Sequence, residues 1–168
     1  MKPYQRVASR YLRARLSLPE DYTFISGLKH GRIKITLLKG NWKRPGTATA
    51  NFEKYTVEDI SKFNCGKEMV ALINQTPKLI DSDGDVRVVE VTFSQLQEGH
   101  RGKGLGLLMY EKIIEEAFNK NNRKPFLFIP NYCHRRSTTD EALRVWKSLA
   151  RKYDNEGDVL VIRDGGKR

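Results

Sequence analysis

Residues 86 to 120 read VRVVEVTFSQLQEGHRGKGLGLLMYEKIIEEAFNK, and this stretch decides the fold. Small and β-branched residues dominate as far as Leu96, which predicts a central strand with one polar edge. Alternation assigns one face of that strand to Val88, Glu90, Thr92 and Ser94 and the other to Val89, Val91 and Phe93. The following apolar residues recur at helical spacing and predict an amphipathic helix; they are Leu105, Leu108, Met109, Ile113 and Ala117.

Between strand and helix lies a glycine-rich segment, GHRGKGLG, at residues 99 to 106. Glycine lets a bulky anion approach the backbone, and the first amides of a helix lack intrahelical acceptors. With the positive end of the helix dipole, such amides predict a phosphate site, a plain strand-to-helix turn being the alternative. A dinucleotide fingerprint is rejected because its third glycine would fall at Leu107 or Met109, and a P-loop because no lysine follows Gly104.

Residues 101 to 106, RGKGLG, fit the pattern R/Q-x-x-G-x-G between a strand and a helix. In this they resemble the pyrophosphate loop of the GNAT superfamily of N-acetyltransferases. The order strand, loop, helix, strand, helix, strand over 86–163 is also the order of that family. The resemblance implies one acyl-CoA-binding domain over 1–168, with a recognisable core at 86–163 and a divergent N-terminal half at 1–85.

For the fold, the resemblance implies a mixed α+β or α/β architecture. Its central sheet would be mostly antiparallel and flanked by helices. The strands at about 86–96 and 126–129 would splay apart to admit the pantetheine arm of a coenzyme.

For the activity, the resemblance implies acetyl-CoA as cosubstrate and direct acetyl transfer to a primary amine. The acceptor would be a protein lysine, a protein N-terminus or a small amine. In the family a backbone amide at a bulge of the central strand stabilises the oxyanion, and the matching position is Leu96. The coenzyme-binding residues implied are Leu96, Gln97, Glu98, Arg101, Gly102, Lys103, Gly104, Leu105 and Gly106, of which residues 96 to 98 would bond the pantetheine amides like an added strand.

Transfer to an amine also requires a group that takes a proton. Glu90 is the candidate, because it stands eleven residues before Arg101, where the histone-acetylating branch of the family carries its glutamate base. A carboxylate among valines suits a base that works near neutral pH. The alternative is a carboxylate that faces solvent or pairs with Arg87 or a lysine of a neighbouring strand.

The departing thiolate needs a proton in return, and here the sequence differs from the family. Many relatives carry a tyrosine in the last helix, within N-x-x-A-x-x-L-Y-E-K-L-G-F. Aligning Ala142 places Trp146 on that tyrosine, and an indole cannot give up a proton at useful pH, so Trp146 is expected in the core. Tyr132 is the candidate donor, and the other candidates are Cys133, His134 and Ser148. A thiolate that leaves unaided and a protein without transferase activity are further alternatives.

The net charge of +11 attracts anions of every kind, coenzyme A, nucleic acid and acidic protein surfaces alike. The second hypothesis is therefore a non-catalytic module of the same fold that binds nucleic acid or an acidic partner. Cys65 and Cys133 lie far apart with no paired spacing, so neither a disulfide framework nor a zinc site is indicated, and the chain is assigned to the reducing cytoplasm with no bound metal. No apolar run reaches the length of a membrane span.

The remaining segments are assigned from local patterns. Residues 1–18 predict a basic amphipathic helix, either the first helix of the domain or an element for membranes, nucleic acid or organelle transit. A hairpin is expected at 21–39 with its turn at 27–31, and a loop at 41–46. A helix starts at Thr56 and ends at Gly66, residues 68–74 are helix or strand, and 81–85 form a tight turn. Later elements are expected at 126–129 (strand), 131–139 (loop), 140–153 (helix) and 158–163 (strand).

Overall fold

Alternating apolar residues build a six-stranded sheet whose strands lie side by side in chain order. The structure, a computed structural model, describes residues 18–134, 139–152 and 157–162. Its strands are β1 Tyr22–Lys29, β2 Arg32–Lys39, β3 Lys43–Thr56, β4 Asp85–Leu96, β5 Phe126–Pro130 and β6 Leu160–Ile162. The helices in these ranges are α1 Val57–Ser61, α2 Gly66–Gln75, α3 Leu105–Lys120 and α4 Asp140–Lys152, with 3-10 turns at Pro77–Leu79, Glu98–His100 and Asn131–Cys133. The helix expected at 1–18 lies outside the described residues, except for residue 18.

The sheet is mixed and mostly antiparallel, as expected. Among the described strands only β4 and β5 run parallel, and they pair from Val88 and Leu127 to Val91 and Pro130. Beyond those pairs β4 continues to Leu96 against β3 alone. Strand β5 ends at Pro130, opposite Val91, so the last residues of β4 have one open edge.

A β-bulge in β4 changes which residues share a face. Thr49 pairs with Phe93 and Ala50 with Val91, so Thr92 is an extra residue in the ladder. An extra residue reverses the alternation that follows it. The predicted common face of Glu90 and Ser94 is therefore wrong, and the two residues lie on opposite faces of the sheet.

Each face of the sheet carries a hydrophobic core. The first core packs α3 and α4 against β1 to β6 and contains Trp146, which is buried as expected against Tyr110 and Phe128. The second core lies on the other face, under α1 and α2, and includes Val88 and Ile129. The central strand β4 thus separates two differently built sides of the protein.

In the N-terminal half, the hairpin is confirmed with a shorter turn at His30 and Gly31. The loop expected at 41–46 is wrong from Lys43 onward, because β3 begins there and runs for 14 residues. Thr56 caps α1 as predicted, its hydroxyl accepting from the amide of Asp59 at 3.1 Å. Gly66 begins α2 instead of ending α1, and 68–74 are helical. The tight turn at 81–85 is confirmed by the bond from the Asp85 amide to Asp81.

The expectation for the cysteines is wrong. Cys65 and Cys133 form a disulfide across 68 residues of sequence, with their Cα atoms 4.6 Å apart. The bond joins the start of α2 to the turn after β5. Sequence spacing could not show this because the sheet brings the two segments together. The cysteines therefore no longer support a cytoplasmic location. No helix in the described ranges is both long and apolar enough to cross a membrane.

Candidate functional site

The glycine loop leaves β4 and turns directly into α3. Gly102 and Gly104 have φ angles of +79° and +74°, a left-handed conformation that glycine adopts without strain. Gly104 is the N-cap residue of α3. A Cβ added at either glycine would meet nothing within 4 Å, so the space over the loop is open.

The first turn of α3 presents bare amides to that space. The first backbone bond of the helix runs from the Leu108 amide to the Gly104 carbonyl at 3.2 Å. The amides of Leu105, Gly106 and Leu107 consequently have no acceptor inside the helix. Within the described ranges no backbone carbonyl or side-chain cap takes them. They stand at the positive end of a 16-residue helix, where an anion is stabilised.

A cavity of about 350 Å³ lies between this loop, the end of β4 and α4. Gly106 lets α4 come close, since a Cβ there would lie 3.2 Å from Val145. Helix α4 adds Arg144 and Ser148 to the walls. The predicted coenzyme residues that line the cavity are Leu96, Arg101, Gly102, Gly104, Leu105 and Gly106.

The backbone of residues 96 to 98 agrees only partly with the role expected of it. The Gln97 amide donates to the Pro45 carbonyl at 2.7 Å, and the Glu98 carbonyl accepts from the Arg101 amide at 3.2 Å, so neither group is free for a ligand. Because successive residues of a strand alternate in direction, the Leu96 amide points away from β3 toward the open edge. The bulge itself lies at Thr92, not at Leu96 as expected.

The basic side chains of the loop are held by neighbouring elements. Arg101 donates from Nε to the Leu96 carbonyl at 3.0 Å, and its Nη2 lies 3.3 Å from Glu141 of α4. Lys103 lies beside Tyr22, whose hydroxyl is 2.7 Å from Nδ1 of His100. Desolvation, followed by three nearby lysines, lowers the pKa of His100, which favours the neutral form of its ring. Lysine charge therefore surrounds the outer end of the loop.

Tyr110 belongs to the same cavity and was missed in the sequence. Its hydroxyl lies 2.9 Å from the Ser94 hydroxyl, and its side chain is almost fully buried. Desolvation raises the pKa of Tyr110, so the hydroxyl keeps its proton at neutral pH. Periodicity could not single it out, since α3 is buried nearly all round, Glu111 and Glu115 included.

Glu90 lies on the opposite face of β4, where its carboxylate is only 2% exposed. Its Oε2 accepts from Nδ2 of Asn131 at 2.6 Å, and its Oε1 lies 2.6 Å from Nδ1 of His134. The alternatives of solvent exposure or pairing with Arg87 are wrong, because Arg87 packs over the Phe52 ring instead. Glu90 pairs with Ile129, one position before the last pair of β4 and β5.

The turn after β5 supplies the partners of Glu90. His134 stacks on Phe63 with ring centroids 4.1 Å apart and an interplanar angle of 9°, and the edge of Tyr55 adds a second ring contact. Tyr132, the predicted proton donor, is half-buried against the second core, and its carbonyl accepts from Asn64 at 2.9 Å. It lies on the Glu90 side, so its role as donor stays a prediction.

Comparison with known proteins identifies no family for this chain. Protein-family models give no match, and a search of curated proteins gives none either. No group of three or more potential metal-binding side chains occurs in the described part of the chain. The geometry of the two sides of β4 therefore has to indicate the function.

Proposed function

We propose that this protein is an acetyl-CoA-dependent N-acetyltransferase that transfers an acetyl group directly to a primary amine. A protein lysine, a protein N-terminus or a small amine would be the acceptor. The observation that carries the proposal is the row of unpaired amides at residues 105 to 107, which opens onto a cavity beside the free edge of β4. A diphosphate fits the charge of those amides, and an extended amide-bearing arm fits the free edge.

Coenzyme binding would use mainly backbone groups. The diphosphate would take the first amides of α3, and Arg144 on the cavity wall would add positive charge. The Leu96 amide at the open edge would bond the pantetheine arm or the oxyanion of the tetrahedral intermediate. Because β5 ends opposite Val91, the thioester would have a path from the cavity toward the face that carries Glu90.

The chemistry would then use groups from both sides of β4. The Glu90 cluster would accept the proton that the amine loses as it attacks the thioester carbonyl. A tyrosine hydroxyl would protonate the departing thiolate. Tyr132 is the candidate from the sequence, and Tyr110 joins it because this residue lines the cavity and its hydroxyl lies beside that of Ser94.

Thermal unfolding with and without acetyl-CoA tests the proposal. A ligand at 100 times its dissociation constant stabilises the folded state by about 2.7 kcal/mol, or roughly 5 to 10 °C for a chain of this size. Acetyl-CoA and coenzyme A should both produce such a rise, whereas inorganic pyrophosphate at the same concentration should produce much less. A melting temperature unchanged by millimolar acetyl-CoA would overturn the assignment.

The second candidate function is binding of nucleic acid or an acidic partner without catalysis. The observation that favours it is a row of exposed cations, Lys29, Arg32 and Lys34, which share one face of β1 and β2. Retention on single-stranded RNA should then fall steeply with salt, and Lys34→Glu should weaken it. Such retention together with no response to acetyl-CoA would favour this candidate over the enzyme.

A further inference from the structure

The buried carboxylate of Glu90 cannot itself meet an incoming amine. Both of its oxygens already have partners at 2.6 Å, Asn131 on one and His134 on the other. The side chain of His134 is 24% exposed, whereas that of Glu90 is 2% exposed. A substrate that approaches this face therefore meets the imidazole before the carboxylate.

The hydrogen bond to Glu90 decides which nitrogen of His134 is available. An ionised carboxylate only accepts hydrogen bonds, so Nδ1 of His134 must carry the proton that it donates to Oε1. In the neutral ring the lone pair is then on Nε2. Nε2 is the ring nitrogen turned away from Glu90, and it has the lone pair that a general base needs.

Several contacts fix the orientation of that ring. Phe63 stacks against one side of it, and Asn131 holds the far oxygen of Glu90. The disulfide anchors the residue just before His134, and the Cys65 amide also donates to the Cys133 carbonyl at 3.1 Å. A histidine in an exposed surface turn would have no need of so many restraints.

We propose that His134 is the catalytic base and that Glu90 is its positioning residue; this inference rests on the proposed function. The amine nitrogen forms a bond to the thioester carbonyl carbon, and its proton passes to Nε2 of His134. The C–S bond then breaks with its electron pair on sulfur, and the thiolate takes up one proton. One N–H is thereby exchanged for one S–H, and the imidazolium returns its proton to solvent.

The first test needs neither coenzyme nor acceptor. Nitrogen-15 NMR of the imidazoles in the free protein distinguishes the two neutral tautomers at pH 9. His134 should show the proton on Nδ1, with His30, in an exposed turn, as the internal comparison. A proton on Nε2, or a ring still fully charged at that pH, would overturn the inference even if acetyl-CoA binds.

The second test measures turnover with poly-L-lysine as the amine probe and thiol release as the readout. His134→Gln should lower kcat by roughly 10² to 10⁴-fold and leave stabilisation by acetyl-CoA unchanged. His134→Ala should regain part of its activity when imidazole is added, a rescue that a merely structural role would not allow. His30→Gln is the matched control and should behave as wild type.

The outcomes separate this inference from the proposed function. If acetyl-CoA stabilises the protein but turnover of His134→Gln is within twofold of wild type, His134 is not the base and the proposed enzyme activity still holds. No stabilisation of wild type by acetyl-CoA would remove the enzyme, whatever the tautomer. If poly-L-lysine is not acetylated, a proton on Nε2 of His134 would still overturn the inference.

Discussion

The two sides of β4 are built in opposite ways. On the cavity side, the groups offered to a ligand are backbone amides at residues 105 to 107, and the side chains around them are mostly small or apolar. On the other side, the groups are the side chains of Glu90, in β4, and of His134, which follows the disulfide-linked turn after β5. The bulge at Thr92 lies where one kind of site gives way to the other.

Because the two sides of β4 are built differently, they should tolerate different substitutions. A site made of backbone depends on the space that missing Cβ atoms leave, so added bulk should destroy it. A site made of side chains depends on single atoms, so replacements of equal size should destroy its chemistry while the fold survives. Substitutions on the two sides should therefore separate binding from turnover.

The largest effect is expected for Gly104→Glu, which fills and charges the cradle. The variant should lose all stabilisation by acetyl-CoA in thermal unfolding. Gly84→Glu is the matched control, because Gly84 also has a positive φ, of +82°, and open space around it, so it carries the same backbone cost far from the cavity. Unchanged coenzyme affinity in Gly104→Glu would contradict the proposed coenzyme site on the cavity side of β4.

Next in size is Glu90→Gln, which keeps the shape of the side chain and removes its charge. Turnover near neutral pH should fall by about 10²-fold or more, and coenzyme binding should stay as in wild type. Activity should partly recover in alkali, because more of the amine is then already deprotonated. A rate loss that is the same at every pH, or a parallel loss of coenzyme binding, would contradict the assigned role.

Removing the disulfide should affect stability and the Glu90 side together. In the chain-entropy view, a crosslink that closes a loop with a sequence separation of 68 contributes about 4 kcal/mol to the free energy of unfolding. Urea unfolding of Cys65→Ser with Cys133→Ser should show a loss of that order. The folded variant should still bind acetyl-CoA but turn over more slowly, since His134 loses its anchor. Equal loss of binding and turnover would mean that the two sides are not separable.

The smallest effect concerns Tyr110, whose pKa is raised by desolvation. The folded state holds this proton above pH 10, where an unfolded tyrosine releases it, so the contribution of the neutral hydroxyl is lost as pH rises past 10. Tyr110→Phe should show a shallower fall in melting temperature between pH 9 and 11. Because the hydrogen bond to Ser94 is lost, the free energy of unfolding of this variant should also fall by about 1 kcal/mol. Identical pH slopes for variant and wild type would remove the buried hydroxyl from the account.

Local patterns predicted the elements around the loop well. The observed strand differs from the predicted one only at Asp85, and the helix begins at Leu105 as predicted, because their periodicity is strong and the glycines between them mark a break. The position of Trp146 in the core also follows from helical spacing. These are properties of residues close together in the sequence.

What could not be predicted depends on contacts between distant segments. The bulge at Thr92 leaves no pattern of its own, since an extra residue shows only against the partner strand. The meeting of Glu90 with His134 spans 44 residues and requires β5 to lie beside β4. The disulfide and the stacking of Phe63 on His134 also require β5 to lie beside β4, because Cys133 and His134 follow β5.

The most direct test of the central claim is a crystal structure of the protein with acetyl-CoA bound. We expect diphosphate oxygens within hydrogen-bond distance of the amides of Leu105 and Gly106, with the pantetheine arm running along the open edge of β4 beside Leu96. Coenzyme bound elsewhere, or a cavity left empty at saturating coenzyme, would contradict it.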